Sequence, residues 1–235
     1  VRARRSVHLL IAAVVAAILT ACAPATQSRE TSTAATSPPA PTVTAVPAET
    51  AGAVTSLVIV GDSNTTGFTG TLDAGLAAGT AWAALLPADR FPIAGGWAVD
   101  GATTAAMRDG ITAASVSGGD RVLVMGGTND LSRGIDTETI LGNVRAIVAA
   151  SGAPAATVLA IAPSEGRPGA TDDLNAELEA LAAGEGWNFI DPWAGARTAD
   201  GRWSEDYLTD GVHTTPEGYA RAGQAILAHL EGGVQ

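Results

Sequence analysis

Four apolar residues, Leu57-Val58-Ile59-Val60, run without a break into Gly61-Asp62-Ser63. The run is too short for a helix and mostly β-branched, so it reads as a buried strand. A serine just past such a strand sits at the C-terminal edge of an open α/β sheet, where these sheets bind ligands. If that serine reacts, the chain must also supply a base, a carboxylate to orient the base, and donors for an oxyanion.

The rest of the chain repeats the pattern. Further strands are expected at 97–99, at 121–125, at 158–161 and at 188–190. Residues 71–86 look helical in part but are broken by Gly75 and Gly79. A short helix follows Thr103-Thr104 and runs to about Asp109. Between 137 and 150, Ile140, Val144, Ile147 and Val148 form an apolar stripe at helical spacing. Thr171-Asp172-Asp173 reads as an N-cap with acids in the first turn, and Leu174, Leu178 and Leu181 follow. Thr215-Pro216 supplies a cap and a first-turn proline for a last helix that buries Tyr219, Gly223, Ile226, Leu227 and Leu230. Alternating strand and helix point to a layered α/β fold with one domain over residues 55–235.

The segment ahead of that domain has another composition. Arg2, Arg4 and Arg5 precede an apolar stretch from Leu9 to Leu19, short of the ~20 residues a membrane-spanning helix needs. The stretch closes on Leu19-Thr20-Ala21-Cys22, which resembles a bacterial lipobox. Residues 1–21 are therefore read as a lipoprotein-type signal peptide, with Cys22 lipidated and the protein held on the outer face of the membrane. Ordinary cleavage and secretion is the alternative. Cys22 is the single cysteine of the 235 residues, so no internal disulfide can form. Residues 22–54 continue as an Ala/Thr/Ser/Pro-rich tether. All 13 basic residues are Arg, and the formal charge is −11, which argues against a nucleic-acid partner.

Polar residues collect at four expected strand ends: Ser63, Gly101, Asn129, and the pair Asp210 and His213. Each has a bland reading. Gly-Asp-Ser is a common turn, Gly101 permits a left-handed turn, Asn129 and Asp130 can cap a helix, and a lone histidine is usually structural. Elimination favours His213, because His8 lies in the leader and His229 is expected at the solvent end of the last helix. Asp210 stands three residues before His213, close enough to orient its ring. No Gly-x-Ser-x-Gly elbow occurs. No metal-ligand spacing occurs, and without Lys there is no P-loop.

Taken in order, the blocks Gly61-Asp62-Ser63, Val99-Asp100-Gly101-Ala102-Thr103, Gly127-Thr128-Asn129-Asp130 and Asp210-Gly211-Val212-His213, with Pro216-Glu217-Gly218-Tyr219 behind, resemble the SGNH, or GDSL, hydrolase family. Asn64 stands where the family name has Leu, and Thr214 stands where Pro is frequent. The resemblance implies a flavodoxin-like three-layer α/β/α sandwich with five parallel strands in the order 2-1-3-4-5. It implies Ser63 as nucleophile, His213 as base and then acid, and Asp210 as orienting carboxylate. Oxyanion donors would be the N–H groups of Ser63 and Gly101 and the amide of Asn129. No cofactor or metal is implied. The expected activity is hydrolysis of carboxylic esters with short or glycan-linked acyl groups. An acyltransferase, a lipase or lysophospholipase, and a non-catalytic surface-binding lipoprotein are the alternatives. Asp62, Trp97 and Trp203 are candidates to line the substrate, with core packing the alternative for each tryptophan.

Overall fold

The computed structural model describes residues 53–68, 70–72, 80–114, 116 and 118–232. The leader, Cys22 and nearly all of the tether lie outside the described residues. Five strands form one sheet: β1 (Leu57–Gly61), β2 (Ile93–Ala98), β3 (Arg121–Val124), β4 (Ala155–Leu159) and β5 (Asn188–Ile190). The order is β2-β1-β3-β4-β5 and every pairing is parallel. The helices are α1 (Ser63–Thr66), α2 (Thr104–Ala113), α3 (Thr128–Ser132), α4 (Thr137–Ser151), α5 (Pro168–Glu185) and α6 (Pro216–Gly232).

Side-chain alternation on the central strands builds both outer layers. Leu57 and Ile59 of β1, with Leu123 of β3, face Trp82, Trp193, Tyr219, Ala222 and Ile226. Val58 and Val60, with Val122 and Val124, face Met107 and Ile111 of α2 and Ile147 and Val148 of α4. Val158 and Ile161 meet Ile140 and Val144 of α4 and Leu174, Leu178 and Leu181 of α5. Each such side chain, fully buried, contributes about 1.5–3 kcal/mol. The result is α6 on one face of the sheet and α2, α4 and α5 on the other, as the fold class expected. Among the described residues no helix is long and apolar enough to cross a membrane.

Several boundaries differ from the sequence expectation. β2 begins at Ile93, because Gly95 and Gly96 belong to the strand rather than precede it. β4 begins at Ala155, since Ala155-Ala156-Thr157 pairs with Arg121-Val122-Leu123 despite its weak hydrophobicity. α5 starts at Pro168, and Thr171 is buried inside its first turn instead of capping it. Proline at the first helical position fixes φ and loses no hydrogen bond there, so the helix nucleates one turn earlier. Trp82–Leu85 forms only a 3₁₀ turn, and residues 73–79 lie outside the described set. His229 is half-buried rather than at the solvent end, and burial, then the charge of Arg121, pushes its pKa down.

The strand order reverses direction at β1, so the C-terminal ends of β1 and β3 border the crevice where ligands bind in such sheets. β2 is held tightly against β1. Gly96 has φ 142°, and a Cβ there would lie 2.0 Å from the carbonyl oxygen of Ile59. Neither the backbone angle nor the space tolerates a side chain. Gly96→Ala is expected to cost more than about 2 kcal/mol in urea denaturation. An unchanged midpoint would contradict this close approach.

Candidate active site

β1 ends at Gly61 and the chain turns at once into the single turn α1. Asp62 caps it, its Oδ1 accepting from the N–H of Asn64 at 3.0 Å. Gly67 closes it in the left-handed region at φ 64°. Ser63 is the first residue of α1, so its N–H points out of the helix and has no acceptor among the described residues.

The loop before α6 brings His213 to this serine across 150 positions of sequence, with Ser63 Oγ 2.8 Å from His213 Nε2. His213 Nδ1 lies 2.8 Å from Asp210 Oδ2. An ionised carboxylate only accepts, so the proton sits on Nδ1 and Nε2 is left to accept from the serine hydroxyl. Asp210 Oδ1 also accepts the N–H groups of Val212 at 2.9 Å and His213 at 2.8 Å, which fixes the carboxylate. Desolvation pushes the Asp210 pKa up. The hydrogen bonds from the His213 ring, His213 N–H and Val212 N–H outweigh it and bring the carboxyl down to about 2. Thr209 Oγ1 donates to the His213 carbonyl at 2.6 Å and closes the loop.

Gly101 and Asn129 come to the same edge. Gly101 adopts φ 73°, open to glycine, and its N–H has no acceptor among the described residues. Asn129 lies in the first turn of α3. Its Nδ2 donates to the Ala102 carbonyl at 3.0 Å and to Asp62 Oδ2 at 3.3 Å. Behind them, Asp130 is fully buried and accepts from both the N–H and the hydroxyl of Thr104, the first residue of α2. Neither Asn129 nor Asp130 is the cap of a helix: Gly127 precedes α3, and Thr103 caps α2.

Three substrate-lining candidates lie elsewhere. Asp62 is 1 % exposed, beneath the serine rather than beside a substrate. Trp203 is 3 % exposed, with its ring edge-on to Trp193 in the core. Trp97 lies against Gly110 of α2, where it packs on the α2 face of the sheet. For all three, position in or near a motif block said nothing about which way a side chain turns. Sequence reading missed Phe68. This exposed ring sits 4.1 Å from the His213 ring, edge to face, on a residue with φ 65°. A bulky residue held at positive φ is strained, and such strain gathers at functional sites. The role of Tyr219 was also missed: its hydroxyl donates to Asn64 Oδ1 at 2.8 Å and ties α6 to the serine turn.

Asp62 carries a thermodynamic signature. Desolvation by burial, then the nearby Asp130 and Asp100 carboxylates, outweigh its hydrogen bond from Asn64 N–H and raise its pKa from 3.8 to about 7. Between those values the folded protein binds a proton that the unfolded chain does not. Stability therefore falls as pH rises through this window and levels off above it. Relative to the wild type, Asp62→Asn is expected to gain a few kcal/mol between about pH 4 and about pH 8 in urea denaturation. Any constant cost of the altered hydrogen bonds does not change with pH, so a pH-independent difference would contradict this.

Comparison with known proteins agrees with the geometry. The GDSL-like lipase/acylhydrolase family matches residues 59–221. A GDSL-like lipase structure from Bacteroides thetaiotaomicron superposes with a TM-score of 0.61 at 19% identity, covering 76% of this chain and 88% of that one. The aryl esterase of M. smegmatis superposes with a TM-score of 0.56 at 21% identity, covering 76% of this chain and 99% of that one. No curated protein sequence matches. The five-stranded parallel sheet and the match over residues 59–221 place this chain in the GDSL-like lipase/acylhydrolase, or SGNH, family of ester hydrolases.

Proposed function

We propose that the protein hydrolyses carboxylic esters through an acyl-enzyme on Ser63. The observation that carries this reading is the unbroken line from Ser63 Oγ through His213 to Asp210, each contact at 2.8 Å. Ser63 Oγ attacks the ester carbonyl carbon while His213 Nε2 takes its proton. The carbonyl oxygen becomes an oxyanion, met by the N–H groups of Ser63 and Gly101 and by the Asn129 amide. The C–O bond to the leaving group breaks, and His213 returns the proton to the departing alkoxide. Water then attacks the acyl-enzyme, giving its proton to His213, and Ser63 regains a proton as the acid leaves. Asp210 stays ionised and steadies the imidazolium.

Short acyl groups fit the sequence between the blocks, which has no long apolar insertion to act as a lid. Glycan-linked acetyl esters belong to that class. The Leu19-Thr20-Ala21-Cys22 segment supports an exported lipoprotein anchored through Cys22, and Cys22→Ala is expected to shift the protein from membrane to soluble fractions. Membrane retention by that variant would sink the anchor.

Ser63→Ala is expected to lower kcat on p-nitrophenyl acetate at least about 10³-fold with the urea midpoint retained. Asn129→Ala is expected to cost roughly 10²–10³-fold in kcat, the size of one lost oxyanion donor. Wild-type turnover by folded Ser63→Ala would overturn the acyl-enzyme reading.

A further inference from the structure

We propose that Arg133 and Arg167 form an anion-recognition site at the rim of the catalytic edge, so that the preferred substrates are esters carrying a negative charge. This rests on the esterase reading above and adds a substrate class to it.

The chain holds 24 acidic residues against 13 arginines, so a carboxylate is rarely far from a cation. Among the described residues, arginine is ion-paired everywhere except at positions 121, 133 and 167. Arg121 opens β3 at the opposite end of the sheet and donates to Thr157. The other two both belong to the catalytic edge.

Arg133 caps the C-terminus of α3, the helix that carries Asn129. Its Nη2 donates to the Gly101 carbonyl at 3.0 Å. One side chain therefore bridges the two loops that supply Gly101 and Asn129, and its charge lies one peptide group from the Gly101 N–H. Arg167 precedes α5, and its Nη2 donates to the carbonyl of Ser132, the neighbour of Arg133, at 3.4 Å. Both side chains are exposed.

A guanidinium has five N–H donors, and each of these spends one on a neutral carbonyl. The remaining donors and the whole positive charge have no carboxylate to meet. Anchoring at one end and freedom at the other suit a fork that receives a carboxylate or phosphate from outside. The nearby acids are otherwise engaged: Asp130 holds Thr104, Asp62 holds Asn64 N–H and Asn129, and Asp100 holds Thr66. None neutralises the rim. A net charge of −11 repels anions at long range, so a local cationic patch beside the reacting carbonyl is what would admit them.

The test compares two ester pairs in the full-length protein. One pair places the anion on the acyl side (p-nitrophenyl hemisuccinate against p-nitrophenyl acetate). The other places it on the leaving side (4-acetoxybenzenesulfonate against phenyl acetate). For each pair the ratio of kcat/KM, anionic to neutral, is followed across variants, so intrinsic reactivity cancels. In Arg133→Gln/Arg167→Gln at least one ratio is expected to fall roughly tenfold, since two exposed ion pairs each worth a few-fold multiply. That drop shrinks as salt rises. Gln keeps a donor for the Gly101 carbonyl, and Arg133→Lys, which keeps the charge, is expected to retain most of the preference. The ratio that moves tells on which side of the ester the anion lies. If both ratios stay fixed in the double variant while turnover still depends on Ser63, anion recognition is wrong and the esterase reading stands. If turnover no longer depends on Ser63, the esterase reading itself has failed.

Discussion

Everything at the catalytic edge depends on the burial of β1. Leu57, Ile59, Val58 and Val60 are each 0 % exposed, with β2 on one side, β3 on the other and helices over both faces. A strand held from four directions cannot shift its register without turning every side chain to the wrong layer. That rigidity is inherited by Gly61-Asp62-Ser63, which follows with no intervening loop. The serine hydroxyl meets an imidazole delivered from the far end of the chain, and the meeting is reproducible only because one partner is fixed so firmly. Tyr219, bonded to Asn64, draws α6 and the His213 loop ahead of it toward the same turn.

The edge is also costly. Asp62 is buried with two other carboxylates near it and no cation beside it, an arrangement that opposes ionisation. Its oxygens are nonetheless occupied, one capping α1 and one touching the Asn129 amide. Asp62 thereby connects the serine turn to α3 through a single side chain, so the cost of burying a carboxyl falls where the geometry of the site is set. Arg133 makes the outer counterpart of that connection, from α3 to Gly101.

What could be read in the sequence follows from how local each signal is. The runs at 57–60 and 121–124 are apolar throughout because both faces are covered, and no other local structure explains them. β2 was harder. Its Ile93-Ala94-Gly95-Gly96 half is a strand because Gly96 lets two backbones come together, which is a property of the pair and not of the segment. At α5 two start signals competed, and Pro168 won over Thr171. The motif blocks named Ser63, Asp210, His213, Gly101 and Asn129; Ser63, Gly101 and Asn129 stand close to where a strand ends or a helix begins, whereas Asp210 and His213, expected at a strand end, lie in the loop between Tyr207 and α6. Side-chain direction was not legible: Trp203 and Asp62 point inward, and Phe68, outside every block, lies on His213. Which arginines lack a carboxylate was equally invisible, because that depends on which acids the fold brings near each of them.

The central claim is that Ser63 carries the acyl group between the two halves of the reaction. Rapid acid quench of the enzyme mixed with p-nitrophenyl acetate, followed by peptide mass mapping, tests it most directly. An acetyl mass increment is expected on the peptide holding Gly61-Asp62-Ser63, localised to Ser63 and raised when deacylation is slowed. An increment on another residue, or turnover with no covalent adduct under conditions that slow deacylation, would contradict it.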